Sequence, residues 1–176
     1  AEGYNSVRSP SAVDTFTHKT IYPLRDIVFE VYADGIAPRT SIDYGGADLF
    51  KAGDILHLGE SAEITLTASD AVSGVENIYY SINGAPYKSY TASIPITEEK
   101  EYMLKYYAVD NVGNVERISE VNLLYDRTPP TSNHKILGDF YKDILSGRSK
   151  VELSSEDKGT GTKTVYYSID EGPEKV

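Results

Sequence analysis

The chain has no cysteine and no tryptophan, a single methionine and only four phenylalanines. Without cysteine there are no disulfides, no thiolate zinc sites and no cysteine nucleophile. No apolar run approaches the ~18 residues of a membrane-spanning helix. The first residues carry no basic-then-apolar pattern, although Ala1 is compatible with the residue left after a removed signal. Basic residues are few, with 17 Lys and Arg against 27 Asp and Glu and a net charge of −10. Phosphate backbones are bound by clustered Lys and Arg that release counterions, so nucleic acid is not an expected partner. An anionic membrane surface is disfavoured for the same reason. Helical periodicity is missing throughout, which leaves strands as the building material.

The motifs of catalysis are also missing. His18, His57 and His134 stand alone, without HExxH or metal-site spacing, and there is no GxSxG. Gly159-Thr160-Gly161-Thr162-Lys163 has a superficial likeness to a phosphate loop. It lacks the GxxxxGK[ST] spacing and a following helix, and it aligns with the turn at Ala71-Val72-Ser73-Gly74, so it reads as a strand connection. The expectation is a protein that is not an enzyme and that carries no cofactor.

What the chain has in quantity is tyrosine, 15 residues in 176. Its apolar ring and polar tip suit half-exposed sheet faces. The chain also repeats itself. Residues 64–89 and 151–176 align without gaps at an offset of 87. Ile64 falls on Val151, Leu66 on Leu153, Asp70 on Asp157 and Gly74 on Gly161. Tyr79-Tyr80-Ser81-Ile82 falls on Tyr166-Tyr167-Ser168-Ile169. A period near 90 suits a whole sandwich domain. Ile64, Leu66 and Ala68 alternate with polar residues, as do Ile78, Tyr80 and Ile82, each set predicting one buried face. Asn83-Gly84 predicts a type I′ hairpin. Leu104, Tyr106 and Ala108 are expected to point inward, as are Val121, Leu123 and Tyr125. Tyr80 and Tyr106 are expected in the core, with their hydroxyls reaching backbone partners.

These signals predict an all-β fold of tandem antiparallel immunoglobulin-like β-sandwich modules, the last one incomplete. Residues 1–36 hold a flexible start, 1–15, and the strand Asp26–Asp34, which resembles the closing strand and joint at 120–130. Residues 37–127 make one complete module and 128–176 the first part of a second. A half-module exposes sheet edges and half a core. The expectation is a longer array, or completion of the sheet by strand addition from a partner.

The residues Leu66-Thr67-Ala68-Ser69-Asp70, Ser73-Gly74-Val75, Tyr79-Tyr80-Ser81-Ile82-Asn83-Gly84 and Ala108-Val109-Asp110-Asn111-Val112-Gly113-Asn114-Val115-Glu116 together form a pattern. It resembles the OmpL47-type β-domain, a bacterial immunoglobulin-like repeat of secreted and surface proteins. The likeness covers 37–127 well and 128–176 over the first half of a unit. It implies an exported bacterial protein of the periplasm, outer-membrane surface or extracellular space, and it brings no catalytic residues. The function it implies is that of a scaffold, spacer or adhesive stalk contacting other envelope or surface proteins. The alternative is a glycan-binding accessory module of a secreted or surface protein.

Two groups of residues are candidates for a site. Tyr79 and Tyr107 are expected to point outward on neighbouring strands. There they serve as a surface that stacks on a sugar or anchors a protein, or as a cross-strand ladder. Asp34, Asp70 and Asp110 are expected near one another at one end of a sandwich. They either share a Ca²⁺ ion or cap tight turns, with Gly74 and Gly113 supplying positive φ.

Overall fold

The computed structural model describes residues 2–8, 13–21 and 28–176. It is all-β and sandwich-like, with strands and loops but no helix among the described residues. In chain order the strands are β1 Gly3–Arg8, β2 Val28–Ala33, β3 Arg39–Asp43, β4 Leu49–Ala52, β5 Ile55–Leu58, β6 Thr65–Ser69 and β7 Val75–Ile82. They continue with β8 Lys88–Ser89, β9 Glu101–Asp110, β10 Ser119–Tyr125, β11 Thr131–Leu137, β12 Phe140–Tyr141, β13 Ile144–Leu145 and β14 Lys150–Glu156. The chain gathers into two compact units, and several excursions lead it from one to the other.

The first unit comprises Ala1–Asp43, Ile64–Ile94 and Leu104–Glu120. Within it β3 pairs antiparallel with β6, and β7 lies between β8 and β9. The expected alternation of β9 holds. Leu104, Tyr106 and Ala108 are buried, and with Ile64, Leu66 and Ile94 they form an apolar core. Strands with this period of two bury one face and wet the other. The hairpin after β7 follows from its sequence, since Asn83 and Gly84 have φ of 51° and 76°. The amide of Ala85 closes it on the carbonyl of Ile82 at 3.0 Å.

β7 itself departs from the expected one-sided pattern. Ile78, Tyr80 and Ile82 are half-buried, and the buried residue of the strand is Ser81. Its hydroxyl donates to the carbonyl of Ala85, so burial leaves no polar group unpaired. Tyr80 stands edge-on to Tyr90, whereas Tyr106 lies in the core with its hydroxyl beside Ser119.

The start of the chain is also more ordered than expected. Residues 3–8, read as flexible, form β1 and pair antiparallel with β2 from Gly3↔Ala33 to Arg8↔Val28. The pairing rests on the backbone ladder and on Tyr4, whose ring meets Tyr32 edge-on and whose hydroxyl donates to Glu30. Position-by-position hydrophobicity does not register such a ladder. Asp26 and Ile27, at the start of the expected strand, lie outside the described residues, as do 9–12.

The second unit comprises Tyr44–Glu63, Pro95–Met103 and Val121–Val176. Here β5 pairs antiparallel with β4 and parallel with the end of β10, from Ile55↔Asn122 to Leu58↔Tyr125. This parallel pair departs from the antiparallel pairing of β4 with β5 and of β7 with β8 and β9. It is possible because sixty residues connect the two strands, far above the dozen a parallel connection needs. Leu58, Tyr102, Leu123 and Tyr125 are buried. β11 and β14 form a two-stranded sheet by themselves, as do β12 and β13. The stretch 166–169, which copies β7 in sequence, makes only one bridge, Tyr167↔Lys175.

Candidate functional site

Three loops share one local solution, an aspartate whose carboxylate accepts amides two and four residues ahead. Asp70 Oδ1 accepts from Val72 at 3.0 Å and Gly74 at 2.9 Å. Asp110 Oδ1 accepts from Val112 at 3.0 Å and Asn114 at 2.8 Å. Asp157 Oδ1 accepts from Gly159 at 3.0 Å and Gly161 at 2.8 Å. Gly74 and Gly113 carry the expected positive φ, 78° and 92°. The turn-capping reading therefore holds for Asp70 and Asp110.

Capping is not all these residues do. Asp34, just past β2, reaches the Asp70 loop, where its Oδ2 accepts the Ser73 amide at 2.9 Å while its Oδ1 caps Ile36. Asp34, Asp70 and Asp110 each place a carboxylate oxygen within 4.8 Å of the other two, with Asp110 completely buried. The sequence expectation that these three converge is met.

The electrostatics favour the charged forms of Asp34 and Asp110. The neighbouring Ser73 hydroxyl, followed by the Ile36 and Ser73 amides, holds Asp34 below the usual carboxylate range against the opposing effect of burial. For Asp110 burial is the largest influence and pushes upward. The Asn114 side chain and amide, the Val112 amide and Ser73 together outweigh it, so its pKa is also lowered.

The residues 108–116 are accounted for almost one by one. Ala108 is fully buried. The Asn114 side chain donates to Asp110 Oδ2 at 2.7 Å and to the backbone carbonyl of Asp34 at 3.2 Å. The Glu116 carboxylate accepts the Thr40 amide at 2.8 Å, the Thr40 hydroxyl and the Ala108 amide at 3.0 Å, tying β3 to β9. Sequence reasoning did not assign these roles to Asn114 and Glu116, nor did it single out Ser73. The only signal was their place in the stretches 73–75 and 108–116, because their partners lie up to 80 residues away.

In the second unit Asp126 repeats the part of Asp34. Its Oδ2 accepts the Thr160 amide at 2.6 Å and its Oδ1 the Thr128 amide at 3.1 Å. Asp126 and Asp157 belong to no group of three metal-ligating side chains among the described residues.

Tyr79 and Tyr107 are register partners on β7 and β9, half-buried rather than fully outward. Their rings stack at 5.3 Å and 22°, and Tyr87 meets Tyr107 edge-on at 5.1 Å. A ring face occupied by a neighbouring ring is not open to a ligand, so this geometry is that of a ladder. His18, His57 and His134 belong to no cluster of metal-ligating side chains among the described residues. In comparisons with protein-family models, curated proteins and solved structures, nothing matches this chain.

Proposed function

We propose that the chain is a non-catalytic structural and interaction module of an exported bacterial cell-envelope or surface protein, built of tandem immunoglobulin-like units. It acts as scaffold, spacer or adhesive stalk and contacts other envelope or surface proteins. The observation that carries this reading is the use made of the motif residues. Asp70, Asp110, Asn114 and Glu116 spend their polar atoms on loops and strands of their own unit. The tyrosines most suited to a ligand stack on one another. Chemistry of this kind maintains a shape. The recurrence at Asp126 and Asp157 of bonds made by Asp34 and Asp70 supports the tandem arrangement. The resemblance to the OmpL47-type β-domain supports the exported setting.

An affinity experiment with the tagged chain, run against solubilised bacterial envelope proteins and a panel of insoluble polysaccharides, tests this. The reading expects one stoichiometric protein partner and no polysaccharide retention. Retention that disappears in Tyr79→Ala and Tyr107→Ala would replace it with the glycan-binding alternative.

A further inference from the structure

We propose that Asp34, Asp70, Asp110 and the Ser73 hydroxyl form a binding site for one Ca²⁺ ion in the first unit. The proposal is independent of the scaffold reading and stands or falls without it. Oxygens that bind one Ca²⁺ at 2.3–2.6 Å from opposite sides are about 5 Å apart. The three carboxylates, each within 4.8 Å of the others, fit that span.

Capping explains one oxygen of Asp70 and one of Asp110, and the Asn114 side chain takes the other oxygen of Asp110, but neither explains why three negative groups meet where Asp110 is completely buried. Buried charges are costly unless paired, and the neighbours here have the same sign. The observation that points to a ligand is Ser73. Its Oγ is buried and makes no hydrogen bond, although buried hydroxyls are ordinarily paired. A hydroxyl oxygen facing a cation uses its lone pairs as a ligand and needs no acceptor of its own. The Ser73 amide, bound to Asp34 Oδ2, fixes the residue in this place.

Asp34 and Asp70 also line an open cavity of about 970 Å³, through which an ion and its waters have access. Three carboxylates and a hydroxyl leave a few positions for water in a shell of about six to eight oxygens. Mg²⁺ retains several waters and is usually held by only one or two carboxylates, so Ca²⁺ is the better occupant.

The test is calorimetric titration of the full chain, first freed of ions by chelator, with CaCl₂ and with MgCl₂. The expected result is one Ca²⁺ per chain, with a Kd on the order of 10⁻⁴–10⁻³ M as for extracellular modules, and Mg²⁺ weaker by about tenfold or more. D70N keeps an oxygen for the capping bonds and removes the charge, and its Ca²⁺ affinity should fall about tenfold or more. S73A leaves every backbone bond intact and should weaken binding several-fold. D157N, in a loop that belongs to no group of three carboxylates among the described residues, should bind as the parent does. Absence of heat and of a thermal shift at about 10 mM Ca²⁺, well above that Kd range, overturns the proposal. Unchanged binding in both D70N and S73A does the same.

Discussion

Ile64 and Leu66 are 1% and 3% exposed, whereas Val151 and Leu153, at the same places 87 residues later, are 53% and 41% exposed. The two stretches have the same alternation and the same tight aspartate turn. Their surroundings differ. In the first unit Ile64 and Leu66 share a core with Leu104, Tyr106 and Ala108 of β9. In the second unit β14 pairs with β11 just as β6 pairs with β3, but no residue of β11 or β14 is buried. The alternation decides which side chains share a face, and the strands packed over that face decide whether it leaves water. Local turn chemistry is independent of both, and so it survives in the uncovered copy.

The largest effect separating the two regions is expected from core truncation. Leu104→Ala removes a side chain 1% exposed and should cost about 2–5 kcal/mol through lost burial and a cavity. Leu153→Ala should fall within about 0.5 kcal/mol, as surface changes do. Urea unfolding of both variants measures the gap, and equal losses would abolish the distinction.

Glu116→Ala comes next. It leaves the amides of Thr40 and Ala108 without their acceptor, a loss of about 1–3 kcal/mol by the cost of unsatisfied donors. Glu116→Gln, which keeps one acceptor oxygen, should lose less in the same assay. A smaller, local effect belongs to the second unit. At Gly159 an added Cβ would lie 2.1 Å from Asp126 Oδ2, while its counterpart in the first unit is Val72. Gly159→Ala should therefore displace Asp126 and cost about 1 kcal/mol, with loss of Thr160 amide protection from exchange, whereas Val72→Ala should be nearly silent.

Acid should narrow the contrast gradually. Asp34 and Asp110 have lowered pKa values in the folded chain. Their contribution is thus fully present above the unfolded carboxylate pKa, about 3.9, and is lost as pH falls through the lower folded values. Thermal midpoints followed downward from about pH 6, where carboxylates start ionised, should be flat first and then decline below about pH 4. A midpoint that rises with acid would contradict the assignment.

Much of this was legible in the chain. The β9 alternation and the Asn83-Gly84 hairpin follow from spacing and turn chemistry, both of which are local, and the convergence of Asp34, Asp70 and Asp110 from the strand ends expected of an immunoglobulin-like sandwich. The parallel pairing of β5 with β10 was not legible, because it depends on where a strand more than sixty residues later comes to lie. β1 was missed because a backbone ladder leaves no hydrophobic trace. Ser81 defeats the one-sided reading of β7, since a polar residue can be buried once Ala85 supplies its acceptor. Tyr79 and Tyr107 were placed side by side correctly, but only the geometry distinguishes a stacked pair from two open rings.

The most direct test of the central claim, that covering strands and not the residues themselves decide burial, is hydrogen exchange of the intact chain followed by mass spectrometry. The account predicts that amides of β6 and β9 are protected close to the global unfolding limit. Those of β11 and β14 should exchange through local opening, faster by orders of magnitude. Equal protection of β6 and β14 would contradict it.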